Sequence, residues 1–563
     1  MSSLILDIII NNRNEYVQKP GYAIEYTTST KFRNDKIDYQ NDDYYILLEG
    51  IVLNKEQLIN ERTQLDWSET LIELYKETGS QFIARLKGSY YGFLLDKKES
   101  KWIVFSDHIG SKPIYYVKYK NHICFANNYT ELVNYLRQNK EIVTFNEQAA
   151  YLLLSYGFVF EDITITNEIK RLMIGHSAII HNGVLQFNKF YSLTNNPVEI
   201  SEEGAIEEVD KLFRQTVQRA FEKDREYGYE HVATLSGGLD SRMTVWVAHD
   251  LGYTDQLNIT FSQSNYLDET IAKQIAADLK HEWLFKALDN GNFLYDLDQT
   301  THISGGNLLY SGLAHSMSLN NYLNFENLGI LHTGQLGDVV LGTYASSKTY
   351  NSFKMGDGAF SSVMLHAISQ FKIKEEYPNE EIFKMYFRGF YGINQGLLGI
   401  QKYTESYSPF YDVDFMEFAL SIPLKLRFNH YLYKKWIIKK YPEASKYIWE
   451  KEKVPVNYSY NVNIMGKNVP LSQIPNRIFA KLGYNKYGLN TKNHMNPLEY
   501  WYRTNRHLKN FMDKYYHKNI HLLDDFPQLK TDCEKLYFNT NGTEKIQVLS
   551  LLGCIHYLKE NRN

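Results

Sequence analysis

The sequence predicts an α/β protein with two domains, and three observations lead to this class. The chain has 563 residues, and chains of this length usually fold into more than one domain, each with its own hydrophobic core. Residues 1–190 alternate between apolar and polar runs as sheet does, whereas later strands and helices follow one another in turn. Residues 194–197 (TNNP) are polar and rich in structure-breaking residues. We therefore expect domains at 1–195 and 196–563.

Composition excludes several classes of protein. The 61 Lys and Arg residues nearly balance the 65 Asp and Glu residues, with no long block of one sign, which argues against nucleic acid as the main partner. Cys124, Cys533 and Cys554 lie far apart without metal-ligand spacing, so we expect buried or free thiols in a reducing compartment. Because no apolar run reaches the ~18 residues that a membrane span needs, we expect a cytoplasmic protein without a membrane partner.

The first domain shows the period and turn residues of a β-rich unit. The segment around Asn182-Gly183 is typical of a hairpin between strands 177–180 and 184–190. Helices are expected at 69–78 and 146–154. The remaining strand candidates are 44–53, 90–95, 102–105, 114–118 and 122–126.

The second domain alternates strands and helices. Ser201 is the expected cap of a helix with one apolar face, formed by Ile206, Val209, Leu212, Phe213 and Phe221. Strands are expected at 231–235, 256–261, 282–286 and 328–332, with helices at 241–251 and 268–279. This order predicts a doubly wound parallel sheet that binds ligands at the carboxyl ends of its strands. The last two hundred residues or so favour additional helices.

The most informative motif is 235–241 (LSGGLDS), a small glycine-rich turn between a strand and a helix. Such a turn brings backbone N–H groups and the positive end of a helix to an oxyanion. The motif lacks the GxxxxGK[ST] and GxGxxG patterns, and SGGxDS is instead typical of enzymes that split ATP between its α and β phosphates. Asp240 would place a carboxylate where Mg²⁺ meets pyrophosphate. The alternative is an ordinary strand–helix turn capped by Asp240.

Three later segments fit a nucleotide site. The segment 260–263 (TFSQ) ends the second strand, where it could border an adenine. The segment 331–338 (LHTGQLGD) again combines a strand, a glycine turn and a carboxylate, although Asp338 could simply cap a helix. The charged loop 449–455 (WEKEKVP) has a solvated surface as its alternative interpretation.

At this point the chain resembles the asparagine synthetases and their amide-forming relatives. The segments 86–93 (LKGSYYGF) and 106–116 (SDHIGSKPIYY) are similar to two segments of that family's first domain, and 156–176 is similar to its bridge between domains. In the second domain, 333–338 falls on the family's S-G-E-G-x-D, and 408–426 on its P-F-L-D segment. The resemblance implies an Ntn-hydrolase-like αββα sandwich, followed by an adenine nucleotide α-hydrolase-like domain that uses ATP and magnesium.

The resemblance also implies a mechanism in which a carboxylate attacks the α-phosphorus of ATP and an amine then displaces AMP. Asp240 and Asp338 would ligate Mg²⁺. Lys453 would stabilise the phosphorus transition state, with Lys451 as the fallback assignment. The pyrophosphate would be held by Ser236, Gly237, Gly238, Asp240 and Ser241, and the adenylate contacted by Leu235, Gln263, Thr333 and Gly334.

Several positions depart from that family. Ser2 stands where glutamine-hydrolysing members expose a cysteine, and 49–54 (EGIVLN) replaces N-G-E-I-Y-N. No counterpart of the R-G-P-D segment is found, and 31–34 (KFRN) is the nearest. Gln335 replaces a glutamate that receives a proton from the amine, so either another group does this or the amine arrives unprotonated. Arg242 replaces a small residue of the family. It could add positive charge near the phosphates, or it could simply pair with a surface acid.

These departures leave different kinds of function open. The favoured one is a ligase that joins a small-molecule or peptide carboxylate to an amine without hydrolysing glutamine, as in the β-lactam synthetases and lasso-peptide cyclases. Alternatives are an asparagine synthetase or sugar-acid amidotransferase using external ammonia, and an inactive pseudoenzyme with an interaction role. The intact Asp240, Asp338 and 235–241 favour an enzyme. A homodimer or a biosynthetic partner protein is the expected association.

Overall fold

The computed structural model describes residues 2–10, 21–62, 65–464, 467–475, 478 and 488–560. Within these ranges, two antiparallel sheets lie in the first part of the chain and one parallel sheet in the second. The predicted α/β class is therefore confirmed.

The two antiparallel sheets contain every strand that the sequence predicted before residue 190. In spatial order, the first sheet consists of Tyr22–Thr27, Ser3–Ile9, His122–Ala126, Tyr115–Tyr119 and Lys170–Arg171. The second consists of Val184–Lys189, His176–His181, Lys101–Ser106, Gly88–Asp96, Tyr44–Val52 and Ile37–Gln40. The predicted hairpin pairs His181 with Val184, and Asn182 adopts the left-handed conformation that such a tight turn needs.

These sheets face one another and carry helices on their outer sides. Leu6 and Phe125 of the first sheet share a buried core with Phe93 and Val104 of the second. On the outer side of the second sheet lies helix Trp67–Thr78, and on that of the first lies helix Tyr129–Gln138. Helix Lys55–Asn60 packs beside Trp67–Thr78, and helix Glu147–Tyr156 packs against helix Gly542–Glu560. This layering confirms the αββα sandwich.

The parallel sheet positions the glycine motif. Its spatial order is Glu282–Ala287, Gln256–Ser262, Glu230–Thr234, Leu328–His332 and Ser406–Tyr407, and every neighbouring pair is parallel. The chain therefore runs outward in both directions from the central strand, which ends at the motif. The first four strands match the prediction, whereas Ser406–Tyr407 is too short to show a period in sequence.

Helices cover this sheet and make up most of the remaining chain. Ser201 caps the first one as predicted, since its side chain accepts the N–H of Gly204 at 3.0 Å. The helices around the sheet are Glu202–Glu226, Leu239–Asp250, Leu267–Leu279, Leu297–Ser304 and Tyr310–Met317. The later ones are Glu380–Lys384, Val413–Ser421, Leu424–Arg427, Tyr431–Lys440, Leu498–Thr504, Arg506–Asn519, Pro527–Asn539 and Gly542–Glu560. Two short hairpins pair Ile448–Trp449 with Val454–Pro455, and Asn461–Ile464 with Lys467–Pro470.

A buried carboxylate fixes one strand next to the motif. Asp224 accepts hydrogen bonds from His332 Nε2 at 2.7 Å, from His231 Nδ1 at 2.9 Å and from the backbone of Ile330 at 2.8 Å. Asp224 thus joins helix Glu202–Glu226 to two strands. Both imidazoles bond directly to the Asp224 carboxylate, so we interpret Asp224, His231 and His332 as a structural hydrogen-bond network.

The two parts of the chain are also joined by buried charges. Asp35, from the first part, accepts from Lys223 of helix Glu202–Glu226 at 3.0 Å and from Lys55 at 3.2 Å. Lys112 pairs with Glu405 at 2.8 Å. Residues 190–201 between the parts form no helix or strand. The boundary at 195/196 stays a prediction.

The structure also bears on the cysteines and on membrane-spanning helices. All three cysteines are buried free thiols. In the described part of the chain, no helix combines the length and the apolar composition needed to cross a membrane.

Candidate active site

The glycine turn after the central strand is held by the two serines of its motif. The N–H of Ser236 donates to Ser241 Oγ at 3.0 Å, and the two hydroxyls lie 2.9 Å apart. Gly238 N–H donates to Ser236 Oγ at 3.2 Å. These three residues line one large cavity, so the positive end of helix Leu239–Asp250 is available to an anion there.

Asp240 lies in the first turn of this helix. The helix begins at Leu239, two residues earlier than predicted, because Gly238 takes the extended N-cap conformation. The alternative of Asp240 as a helix cap is therefore wrong. Its carboxylate instead accepts a hydrogen bond from Tyr433 OH at 2.9 Å, which fixes its orientation.

The second glycine turn packs directly against the first. A Cβ on Gly334 would lie 2.2 Å from the nitrogen of Ser241, and a Cβ on Gly337 would lie 2.7 Å from Asp240 Cγ. Only glycine allows such close approach at both positions. The contact also brings the backbone N–H of Asp338 to the Asp240 carboxylate as a hydrogen-bond donor.

Asp240 and Asp338 consequently form a carboxylate pair. Desolvation raises the pKa of Asp240 well above its usual value, and the charge of Asp338 raises it further. Desolvation raises the pKa of Asp338 too, against the opposing charges of Lys451 and Arg388. The ionised forms of these two neighbouring carboxylates are disfavoured in the absence of a cation. A divalent cation prefers oxygen ligands and would neutralise the charge of both carboxylates. Asp240 and Asp338 are thus fit to hold Mg²⁺.

Two further acids border the turn, and the sequence did not single out either as a site residue. Asp268 Oδ1 accepts the N–H of Gly237 at 2.8 Å, and burial raises the pKa of Asp268 to about 6. Glu450 lines the cavity, and its backbone N–H donates to Gly237 O at 3.0 Å. Gly237 is therefore engaged on both sides by neighbouring segments, which sets the position of the turn.

The charged loop 449–455 reaches this site, so its interpretation as a purely solvated surface is wrong. Lys453 Nζ pairs with Glu450 at 2.9 Å and lies 5.3 Å from the ring centroid of Tyr266. Lys451 Nζ lies 3.9 Å from Asp338 Oδ2. Lys453 is largely buried whereas Lys451 is half exposed, which favours Lys453 for a role in a desolvated site.

Gln335 lies in the cavity wall as a neutral hydrogen-bonding group. Its Oε1 accepts from Tyr411 OH, and its backbone carbonyl accepts from Ser408 Oγ at 2.9 Å. Burial raises the pKa of Tyr411 well above its ordinary value, so this phenol stays protonated. Neither side chain supplies a proton acceptor near neutral pH.

Of the two roles considered from sequence for Arg242, pairing with a surface acid is wrong, whereas a positive charge near the glycine turn stays a prediction. Its guanidinium is fully buried and donates to the carbonyls of Gly237, Ala444, Tyr447 and Ile448, at 2.6 to 3.3 Å. Burial without a carboxylate partner lowers the pKa of Arg242 to about 10. Arg242 therefore fastens the segment before the charged loop to the glycine turn.

The cavity has a volume of about 620 Å³, which is within the usual range for ligand sites. Of the predicted residues, Leu235, Ser236, Gly238, Asp240, Ser241, Thr333, Gly334 and Gln335 line it. Three predicted residues do not line the cavity but are bonded to residues that do. Gly237 is bonded to Asp268, Asp338 to Asp240, and Lys453 to Glu450. Gln263 does not line the cavity, because its side-chain amide is held by Asp289 and by Trp501 Nε1. The predicted adenylate contact of Gln263 is thus without structural support.

The first part of the chain has little room beside Ser2. The cavity that Ser2 lines measures about 30 Å³, against about 620 Å³ for the large cavity at the glycine turn. The Glu49 carboxylate is bound by Tyr26 OH at 2.6 Å and by Lys36 at 2.7 Å. Ile51 is fully buried in the apolar core.

Known proteins resemble both parts of the chain. A family model described as a glutamine amidotransferase domain matches residues 37–191. Asparagine synthetase [glutamine-hydrolyzing] 1 of Bacillus subtilis is 24% identical over 271 residues, which cover 46% of this chain and 42% of the relative. Asparagine synthetase [glutamine-hydrolyzing] 2 of the same organism is 25% identical over 303 residues, which cover 50% and 38%. The matched regions thus span less than half of either relative.

Among solved structures, the B. subtilis glutamine phosphoribosylpyrophosphate amidotransferase complexed with ADP and GMP matches 50% of this chain and 75% of its own. Its sequence identity is 12% and the TM-score is 0.23. The amidotransferase match and the two synthetase relatives agree with the family suggested by the motifs. The chain is thus similar to asparagine synthetases over about half of its length and carries a match to a glutamine amidotransferase domain at residues 37–191.

Proposed function

We propose that the protein is an ATP-dependent ligase that activates a carboxylate as its adenylate and joins it to an amine. The observation that carries this proposal is the convergence of Asp240 and Asp338 on the serine- and glycine-rich turn at 235–238. Carboxylates are costly to bring together without a cation, and this pair lies where a helix N-terminus would meet a polyphosphate.

The adenylation step has residues suited to it, whereas the amine step has no evident base. A carboxylate oxygen bonds to the α-phosphorus of ATP while the bond to the pyrophosphate oxygen breaks. We propose that the N-terminus of helix Leu239–Asp250 and the ammonium of Lys453, which pairs with the lining residue Glu450, favour the negative charge that moves to pyrophosphate. Mg²⁺ held by Asp240 and Asp338 would neutralise part of that charge. The amine nitrogen then bonds to the acyl carbon, AMP leaves, and the nitrogen loses a proton.

The fate of that proton is where this chain departs from the pattern of the asparagine synthetases that it resembles. Gln335 cannot accept it, and Tyr411, which donates to Gln335, is held protonated by its burial. An amine that arrives unprotonated would need no base before it attacks. We therefore propose that either a different side chain in the cavity or the solvent receives the proton afterwards.

We further propose that the chain does not hydrolyse glutamine. The space beside Ser2 is about 30 Å³, which is too small for a glutamine side chain. Burial raises the pKa of Cys124, Cys533 and Cys554 above their ordinary value, so none is a thiolate at neutral pH. The amine then comes from the substrate itself, as in macrolactam or β-lactam closure, or from external ammonia.

A non-enzymatic interaction role is the second candidate, and Gln335 is the observation that favours it. To distinguish the ligase from the interaction role, the protein is incubated with ATP, Mg²⁺, a panel of carboxylic acids and hydroxylamine as a general amine. We expect hydroxamate together with AMP and pyrophosphate.

Asp240→Asn and Asp338→Asn should each lower that rate at least ~100-fold, since each removes a carboxylate ligand of the Mg²⁺ that would neutralise the leaving pyrophosphate. The matched control is Asp525→Asn, which changes an exposed carboxylate near the C-terminus. Formation of ADP and phosphate would contradict the proposal. A folded protein that binds ATP but turns over no acid in the panel would favour the interaction role.

A further inference from the structure

The large cavity extends well beyond the glycine turn, and its far wall is apolar. The strand ends contribute the wall next to Ser236 and Thr333. The far wall comes from helix Tyr310–Met317, from the segment 392–397 and from Phe158 in the first part of the chain.

The large apolar side chains that line the cavity on that side include Phe158, Phe293, Leu309, Ile393 and Leu397. Of these residues, only Phe158 lies in a segment that the sequence singled out, the bridge at 156–176. If the nucleotide occupies the strand-end side of the cavity next to Ser236 and Thr333, the side next to helix Tyr310–Met317 is the space that the other substrate would take.

The charges in the cavity are confined to the end near the glycine turn. The charged residues that line it are Asp240, Asp268 and Glu450, and each is bonded to the turn or belongs to it. No lysine or arginine is found among the described residues of the cavity wall. A substrate with a second carboxylate or an ammonium group would have no opposite charge to meet at the far end.

The polar groups at the far end are uncharged. His315 lines the cavity between the rings of Phe261, 5.2 Å away, and Phe293, 6.3 Å away. Burial lowers the pKa of His315, so its imidazole is neutral at pH 7. Ser316 donates its hydroxyl to backbone carbonyls, at 2.9 Å to Leu313 and 3.1 Å to Gly396.

Glycines make this space. A Cβ on Gly312 would have no heavy atom within 4 Å, and a Cβ on Gly396 would only touch the carbonyl of Gly312 at 3.9 Å. Gly312 lies inside a helix and neither residue has positive φ, so backbone geometry does not require glycine here. Absence of side chains at these two positions keeps the cavity open.

We propose that the acid activated by this protein is hydrophobic, with an uncharged aliphatic or aromatic body bound against helix Tyr310–Met317 and its carboxylate directed to the glycine turn. This inference rests on the proposed function for the reaction, but the binding of the acid can be measured without it. It excludes aspartate and similar amino acids as the preferred substrate, because their second charges would be buried without partners.

The test uses straight-chain acids of increasing length, 3-phenylpropionate and aspartate. Binding to the full-length protein is measured by titration calorimetry, with and without a non-hydrolysable ATP analogue, and turnover by pyrophosphate release with hydroxylamine. We expect affinity to rise about fourfold for each added methylene until the cavity is filled. Aspartate should bind more weakly than the longer acids.

A pair of variants locates the binding. Gly312→Leu should weaken binding of the long acids at least about tenfold, because it occupies the space they need, while ATP analogue affinity stays unchanged. Gly312→Ala is the matched control for the glycine itself and should have a smaller effect.

The outcomes separate the two proposals. Pyrophosphate release with aspartate but not with hydrophobic acids would overturn the inference and leave the ligase intact. Hydrophobic acids that bind in the Gly312-dependent manner without any turnover would support the inference and contradict the ligase. No binding of hydrophobic acids in either assay would overturn the inference.

Discussion

Replacing Gly334 by alanine should separate the two turns that form the candidate active site. The added Cβ would lie 2.2 Å from the nitrogen of Ser241 and 2.3 Å from the carbonyl carbon of Asp240, whereas ordinary contacts begin at 3.4 Å. Both atoms belong to the backbone of helix Leu239–Asp250, so neither can rotate away. The turns must therefore move apart by about 1.2 Å, the difference between 3.4 and 2.2 Å.

This displacement has two measurable consequences. Overpacking of a well-packed contact costs about 1–3 kcal/mol, and we expect the free energy of unfolding in urea to fall by that amount. Asp338 moves away from Asp240 with its turn, and a misplacement of about 1 Å in an active site can cost about 100-fold in rate. The rate is followed as pyrophosphate release at saturating ATP and Mg²⁺.

Gly312→Ala is the control for folding, because its Cβ meets open space in the interior of a helix. It should keep or raise the stability, by about 0.5–1 kcal/mol. If Gly334→Ala retained both the stability and the rate of the unmodified protein, the packing of the two turns would not be what positions the carboxylate pair.

Three further predictions concern single groups. Lys453→Ala should lower kcat about 100- to 1,000-fold with little change in ATP affinity, and a loss of that size in Lys451→Ala instead would move the role to that residue. Because burial raises the pKa of Asp268 from 3.8 to about 6, ionising it costs more in the folded state, so stability should fall by about 3 kcal/mol as pH rises from 3.8 to 6. Urea unfolding of Asp268→Asn between pH 4 and 7 should lack that decline, and an unchanged pH profile would refute the assignment. Glutamate release from glutamine should stay at background with or without ATP, and turnover that survives Ser2→Ala would reveal another nucleophile.

The sequence was sufficient where local signals determine structure. The strand His122–Ala126 has its predicted bounds, because polar turns flank a short apolar run. The predicted start of the helix after the glycine turn was late by two residues, since Gly238 itself serves as the N-cap. The strand Ser406–Tyr407 has two residues and exists only through its parallel partner, so periodicity could not reveal it.

Within the site, the sequence indicated the residues of the two glycine turns but not their partners from distant segments. Gln263 ends a strand as predicted, yet Trp501, 238 positions later, takes its side-chain amide. Arg242 directly follows the motif, but its partners are backbone carbonyls, which carry no side-chain signal. His315 has no motif at all, and only the fold brings it to the cavity.

The most direct test of the account is exchange of labelled pyrophosphate into ATP, with a carboxylic acid and Mg²⁺ present and no amine. If the acid is adenylated reversibly with Mg²⁺ held by Asp240 and Asp338, exchange should require the acid and should be lost in Asp240→Asn. Exchange that continued in Asp240→Asn, or acid-dependent formation of ADP in place of exchange, would contradict it.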